Sequence, residues 1–528
     1  MLAAIRSAAV LGIDAFDVTV EVDVVAGLPQ WTIVGLPAGA VRESRERVTA
    51  ALVNEGFSVP PRRITVNLAP ADIRKEGTAF DLPIALALLV ATGQLDADAV
   101  RELRVVGELG LDGTLRSVRG VLPMARALMG VPDVTLVVPP VNVVEARLAR
   151  AVRVAAPVSL GELVEALRRG RLPEAPPVPP TAEPDSTLPP EDFADVVGQG
   201  AAARALEIAA AGGHNVLLVG APGAGKTMLA RRLPGILPPL GEYEQLEVVA
   251  IHSVAGLLDA ARASSDRPPF RAPHHTTSTA GLIGGGSVPR PGEVSLAHRG
   301  VLFLDELLEF PRYVLDALRQ PLEDGQVTLA RAAACVRFPA RLTLIAATNP
   351  CPCGRAALAA GAEPGRCRCA PLEVARYRAR LSGPLADRLD LHVAVAPVPL
   401  ASLASGSRAE GSAAIRARVL RARASQTARY AGYRGLATNA EAPGRWLDTH
   451  GAIDGGARAL LVRAAETLEL SARAYHRVLR VARTIADLDQ EPCVGPPHVA
   501  EALRYRPAER PAEPSRLTTH GRVAAVGG

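Results

Sequence analysis

The sequence predicts an α/β protein of several domains, and three observations carry that expectation. An apolar run from Val216 to Val219 leads through Gly220-Ala221-Pro222-Gly223-Ala224-Gly225-Lys226-Thr227 into the helical pattern Met228-Leu229-Ala230-Arg231. The N-terminal third alternates apolar runs of period two with amphipathic stretches, and the part from about Leu400 onward reads as helix. A chain of 528 residues is also too long for one core, and its 48% hydrophobic content marks it as folded and globular. No run approaches the roughly 18 uncharged apolar residues of a membrane helix. The N-terminus shows no apolar export signal with a cleavage site, so the expected location is cytoplasmic, with no membrane partner. A net charge of +5 permits a nucleic-acid partner without demanding one.

In the N-terminal part, residues 1–172, Phe16 to Val22 and Ile64 to Leu68 read as strands, and Val134 to Val138 as another. Ala38 to Asn54 reads as an amphipathic helix and Leu82 to Ala91 as a buried one. Leu103 to Leu115 reads as a hairpin turning at Asp112-Gly113. Residues 173–190 are proline-rich without an apolar period, the composition of a stiff linker.

The glycine loop fits G-x-x-x-x-G-K-[ST] and stands between a strand and a helix, the context that gives this motif its meaning. Gly220, Gly223 and Gly225 let backbone N–H groups turn onto phosphate oxygens, and the following helix points its positive end at the same anion. Lys226 is then expected on the β- and γ-phosphates of ATP and Thr227 on Mg²⁺. Farther on, the apolar strand Val301-Leu302-Phe303-Leu304 ends in Asp305 and Glu306. Behind a phosphate loop, that pair predicts Asp305 on Mg²⁺ and Glu306 polarising the attacking water. A third strand, Leu342 to Thr348, ends at Asn349, whose amide can orient the water.

Nearly every cation is arginine; lysine occurs only at Lys75 and Lys226. Lys226 fits a need for a compact ammonium. Lys75 is a turn or surface residue, or else a contact to DNA or a neighbouring subunit. His274 and His275 are adjacent on a loop with no second spaced pair, which favours a structural or coupling role over metal ligation. The run Gly281 to Gly292 reads as flexible. Of six cysteines, Cys351 and Cys353 face Cys367 and Cys369 across thirteen intervening residues. Two close pairs suit a tetrahedral zinc site, with reduced or redox-active thiols as the alternative. Cys335 and Cys493 read as isolated buried small residues. Arg416 to Arg429 is a basic helical stretch that suits DNA phosphates or a solvated face equally.

Several of these segments together resemble one family. Gly35-Leu36-Pro37, Val66 to Asp72 and Lys75 to Pro83 are similar to the N-terminal domain of the ComM/YifB proteins, magnesium-chelatase-like AAA+ ATPases. The resemblance covers nearly the whole chain. It implies a ribosomal-S5/Lon-protease-like N-terminal domain, a P-loop AAA+ core over residues 191–398 and a C-terminal α-helical lid over 399–508. The cysteine insert is then residues 351–369, and residues 509–528 form a disordered tail.

By this resemblance Phe193 to Gln199 lies against adenine, Asn349 is sensor 1, and Arg388, in Leu381 to Asp390, is an arginine finger supplied to a neighbouring subunit. A salt bridge from Arg388 to Asp387 or Asp390 is the other reading. Arg473, with Arg477 second, is implied as the sensor-2 contact to the γ-phosphate. In Lon the comparable turn holds a nucleophilic serine; here Ala79 takes that place, which disfavours peptidase activity. The family implies a homo-hexameric, ATP- and Mg²⁺-dependent DNA motor. Its partner is single-stranded or branched DNA, and its activity is helicase-driven branch migration in recombination and natural transformation. A protein-remodelling ATPase and a chelatase-type motor subunit are the alternatives.

Overall fold

The computed structural model describes residues 1–150, 152–175, 191–286, 289–331, 334–356, 367–398, 409–433 and 435–506. The chain folds into two units. The first comprises residues 1–190, 238–302 and 313–343; the second comprises 191–237, 303–312 and 344–528. The first unit therefore takes in two segments, 238–302 and 313–343, that lie within the span expected for the ATPase core.

The first unit is built on a four-stranded sheet in the order Leu2–Leu11, Asp14–Val25, Arg63–Ala69, Gln30–Val34. The first three strands run antiparallel and the last pairs in parallel. In Asp14–Val25 every second residue, Val18, Val20, Val22 and Val24, is buried, because successive side chains point to opposite faces. The helix Asp81–Ala91 covers the sheet and buries nearly every residue, which accounts for its lack of amphipathic period. Each large apolar side chain so buried contributes about 1.5–3 kcal/mol. Asp81 at the start of this helix is also buried; Arg47 meets it with two hydrogen bonds of 2.6 and 3.0 Å. A second sheet, all parallel, joins Leu103–Val105, Thr135–Val137 and Arg153–Ala155.

Several local expectations change here. The expected hairpin begins only at Glu108: Glu108-Leu109 pairs with Leu115-Arg116, while Leu103–Val105 runs parallel to Thr135–Val137. The helix expected over Ala38 to Asn54 is broken at Glu43 into Gly39–Arg42 and Ser44–Asn54. Within the glycine run after His275, the described residues form the helix Thr279–Ile283 and a short pairing of Gly284-Gly285 with Arg290-Pro291; residues 287–288 lie outside the described residues. The proline-rich segment starts inside the fold, where Glu174 bridges Ala155 and Ala175 is buried; residues 176–190 lie outside the described residues. Lys75 is not a surface residue: it is fully buried and its amine has no hydrogen-bond partner. Cys335 and Cys493 are exposed, not buried. The expected tail, 509–528, lies outside the described residues.

In the second unit Val216–Gly220 is flanked by Thr343–Thr348 and Leu391–Val395, both parallel to it. The strand end Phe303-Leu304 follows on the far side of Thr343–Thr348. All six residues of Thr343–Thr348 are buried, as expected of a parallel strand covered on both faces. Helices Gly200–Gly212, Ser412–Arg429 and Ala472–Leu488 pack on one another. Among the described residues, no helix is long and apolar enough to cross a membrane.

Candidate nucleotide site

The carboxyl ends of the parallel strands converge, and the functional side chains stand there. Gly220 closes its strand with its Cα against the neighbouring strand: a Cβ would lie 2.5 Å from the Val395 carbonyl oxygen. Gly220 is thus demanded by packing. Gly223 and Gly225 take φ of +77° and +90°, the left-handed values that turn the loop back on itself before the helix Lys226–Ile236 begins.

Lys226 is buried, and its amine donates to the carbonyls of Gly220 at 2.6 Å and Ala221 at 3.0 Å, and to Asn349 Oδ1 at 3.2 Å. Burial lowers its pKa against the opposing pull of Asp305 and Glu306. Thr227 Oγ1 donates to Asp305 Oδ2 at 2.7 Å. Glu306 is exposed and holds a left-handed φ of 50°, an uncommon backbone for a non-glycine residue and one that concentrates at functional sites. Its backbone N–H donates to Asp305 Oδ1 at 3.0 Å. Four of the expected residues, Lys226, Thr227, Asp305 and Asn349, are therefore joined in two hydrogen-bonded pairs, with Glu306 adjacent.

These residues fit Mg²⁺–ATP. A buried ammonium resting on loop carbonyls is free to exchange them for phosphate oxygens. Two oxygens 2.7 Å apart lie close to the edge of an octahedron with metal–oxygen bonds of about 2.0–2.1 Å, so Thr227 and Asp305 would hold the ion. Gln199 is buried and its amide ties the loop to the next strand, donating to Ala224 O at 3.2 Å and Ala396 O at 2.6 Å.

Arg388 stands beyond the short helix Gly383–Ala386, half-buried, on an element separate from the phosphate loop. Its carbonyl accepts from Asn215 Nδ2 at 2.9 Å. Arg473 is exposed on the first turn of Ala472–Leu488. Arg477 is buried and committed elsewhere, donating to the Leu389 carbonyl and to Asp387, both at 3.2 Å. Behind them His214 is buried, with Nδ1 3.2 Å from Asp390 and Nε2 2.8 Å from the Thr484 hydroxyl. Burial would raise the Asp390 pKa, but the His214 hydrogen bond and the charges of His214, Arg477 and Arg480 hold it below the usual carboxylate value. Sequence reasoning missed His214 and Asn215. Their signal was a polar pair set immediately before an apolar strand.

The four cysteines do meet: their sulfurs lie within 4.8 Å of one another, the one such cluster of metal-ligating groups among the described residues. His274 is exposed, and the rings of His274 and His275 lie 4.0 Å apart. The basic helix is not a free stripe. Arg418 meets Glu207 and Glu410, Arg423 donates to Ala210 O, and Arg429 clasps Asp487. At the turn compared with Lon, Ala79 is buried and the Thr78 hydroxyl donates to Glu108.

A parallel sheet with a phosphate loop, an Asp-Glu strand end and a third strand ending at Asn349 defines a nucleotide-binding protein of the magnesium-chelatase, AAA+-like class. Three family descriptions match the chain. "Magnesium chelatase, subunit ChlI" covers residues 192–403, "Subunit ChlI of Mg-chelatase" covers 20–142, and "Magnesium chelatase, subunit ChlI C-terminal" covers 409–506. The chain is 44% identical to "Competence protein ComM" of Haemophilus influenzae over 511 residues, spanning 96% of this chain and 97% of that protein. It is 42% identical to "Uncharacterized protein YifB" of Salmonella typhimurium over 511 residues, 96% of this chain and 98% of the other. A shorter likeness, 33% over 153 residues, links 27% of the chain to 27% of "Lon protease 2" of Bacillus subtilis. The chain belongs to the ComM/YifB family of magnesium-chelatase-like proteins.

Proposed function

We propose that this protein is an ATP-driven, homo-hexameric DNA motor that promotes branch migration during homologous recombination, including the integration of foreign strands in natural transformation. The observation that carries the ATPase half is the paired geometry of Lys226 with Asn349 and Thr227 with Asp305. The DNA half is supported by near full-length likeness to a protein named for competence.

Bound Mg²⁺–ATP supplies the transferable phosphoryl group and the metal's positive charge. Lys226 leaves the Gly220 and Ala221 carbonyls for the β- and γ-phosphate oxygens and offsets their charge. Thr227 and Asp305 hold the metal. The Glu306 carboxylate orients the attacking water and takes its proton, and the Asn349 amide fixes that water against the γ-phosphate. Arg388 of one protomer completes its neighbour's site, which makes turnover depend on ring assembly. Arg473 contacts the γ-phosphate from the helical segment that forms the lid. The Lon-like turn carries no serine at Ala79, and Thr78 is occupied with Glu108, so the proposal includes no peptidase step.

The test is ATP turnover by the full chain with and without single-stranded and forked DNA, with Lys226→Ala as control. Strong stimulation by DNA, abolished in the variant, is the expected result, and Glu306→Gln slows turnover by about 10²–10⁴-fold while still binding nucleotide. Turnover indifferent to DNA at low salt would overturn the DNA half and point to a protein client.

A further inference from the structure

The cysteine cluster sits at the nucleotide site itself. Cys351 follows Asn349 by two residues and is buried, and the turn closes when Gly354 N donates to Cys351 O at 2.9 Å. Gly354 has a φ of +75° and lies so close to the phosphate loop that a Cβ on it would be 2.4 Å from Pro222 Cδ. The same segment thus touches the phosphate loop twice, through Gly354 on Pro222 and through Asn349 on Lys226. The chain leaving Cys369 returns to the same place. Arg378 in the helix Pro371–Arg378 donates to Pro350 O at 3.2 Å, and Arg380 donates to Leu308 O at 3.1 Å, just past Glu306.

The four sulfurs lie within 4.8 Å of one another, and the three spacings among Cys351, Cys353 and Cys367 are near those of a metal tetrahedron. Cys351 to Cys353 is 3.3 Å, Cys351 to Cys367 is 3.7 Å and Cys353 to Cys367 is 3.6 Å. Zinc–sulfur bonds of about 2.3 Å give tetrahedral edges of about 3.8 Å. None of the six cysteines is in a disulfide, and four sulfurs brought this close form a ligand set that suits a zinc-class cation.

We propose that Cys351, Cys353, Cys367 and Cys369 bind one zinc-class divalent ion, and that this ion clamps the loop that shapes the phosphate-binding turn, so that nucleotide affinity depends on metal occupancy. The clamp joins the chain entering the cluster, which holds Pro222 and Lys226, to the chain leaving it, which holds Pro350 and Leu308. Without the ion those two segments lose their common anchor, and the phosphate loop loses one wall. The inference rests on reading the Lys226 site as the ATP site.

The experiment uses full-length protein from zinc-replete cultures. It measures metal content, helical circular dichroism and affinity for a fluorescent ATP analogue, before and after stripping with a thiol-directed mercurial, reversed by dithiothreitol and zinc. About one zinc per protomer is expected. Stripping is expected to weaken nucleotide binding about tenfold or more, within the usual range of couplings between sites. Zinc restores the affinity, and the helical signal stays intact throughout. Cys367→Ser is expected to lose zinc and affinity together, whereas Gly354→Ala keeps zinc and loses affinity through the clash with Pro222. Absence of zinc in the replete protein overturns the proposal, as does unchanged affinity after stripping, or affinity lost only with global loss of helix. If zinc-loaded protein binds ATP no better than Lys226→Ala, the ATP reading fails instead, and metal content still reports on the cluster.

Discussion

Asn215 and Arg388 are joined through the main chain: the Asn215 amide donates to the Arg388 carbonyl at 2.9 Å, while its own Oδ1 accepts from Leu344 N at 2.8 Å. The carbonyl of Asn215 also accepts from Asp390 N and Leu391 N, at 2.9 and 3.0 Å. One side chain at the foot of the phosphate-loop strand thus fixes the Arg388 segment and the strand that ends at Asn349. Asn215→Asp keeps the acceptor for Leu344 and loses the donor to Arg388. Its turnover at saturating ATP should fall about 10–100-fold, the scale of a misplacement of about 1 Å. Asn215→Leu, which strands both partners, should in addition cost about 1–3 kcal/mol of stability in a urea melt.

Arg388 is expected to act across the subunit boundary. Arg388→Ala should lower turnover by about 10³-fold or more with nucleotide affinity retained. Lys226→Ala should be equally inactive for a different reason. An equimolar mixture of the two variants should regain turnover, because some interfaces then pair an intact phosphate loop with an intact arginine. A mixture as inactive as its components would show that Arg388 does not work in trans.

Acid should loosen the first unit through His252. Its Nε2 faces the Leu296 carbonyl at 3.0 Å and its Nδ1 faces Arg262 at 3.2 Å, a setting that suits the neutral ring. Burial, with Arg262 and Arg271 nearby and Glu293 opposing, lowers its pKa to about 4. Between about pH 6.5 and pH 4 the unfolded chain binds a proton that the folded chain refuses. Stability therefore falls as the pH is lowered through that window, by up to about 1.4 kcal/mol per pH unit for one group. The melting temperature of His252→Gln should fall less steeply over the same range. His392, also held near 4 by burial, keeps a residual slope in the variant.

The arginines of the helix Ser412–Arg429 are expected to hold the second unit together rather than to hold DNA. Arg418 Nε lies 2.5 Å from Glu207, which is 4% exposed, and its other nitrogens meet Glu410. Arg418→Ala should destabilise the protein by about 1–3 kcal/mol, since among the described residues Glu207 then keeps only Arg204. The salt dependence of DNA binding should stay unchanged. A slope reduced by about one unit would instead place Arg418 on a phosphate.

The nucleotide site was readable because its parts are local. A phosphate loop is one strand, one glycine turn and one helix in unbroken order, and Asp305, Glu306 and Asn349 each end an apolar strand. Strand and helix positions in residues 1–172 followed for the same reason, since alternation and apolar content are properties of short windows. What failed depended on distant partners. The apolar run at Leu103–Val105 could have paired within a hairpin, but it pairs with Thr135–Val137 instead. Lys75 and the arginines of Ser412–Arg429 read as surface charge in sequence, because nothing local records that Lys75 is buried or that Arg418, Arg423 and Arg429 are paired with distant groups.

By itself the sequence determined the chemistry available: a glycine loop between strand and helix, two acids at the end of an apolar strand, four thiols in two pairs. The tertiary structure decided how those groups are supported. It put Asn215 under Arg388, committed Arg477 to Asp387, and set Gly354 against Pro222. Motif chemistry is carried by contiguous residues, whose spacing the covalent chain fixes. Support is carried by pairs far apart in the chain, and only packing chooses between the many pairings a sequence allows.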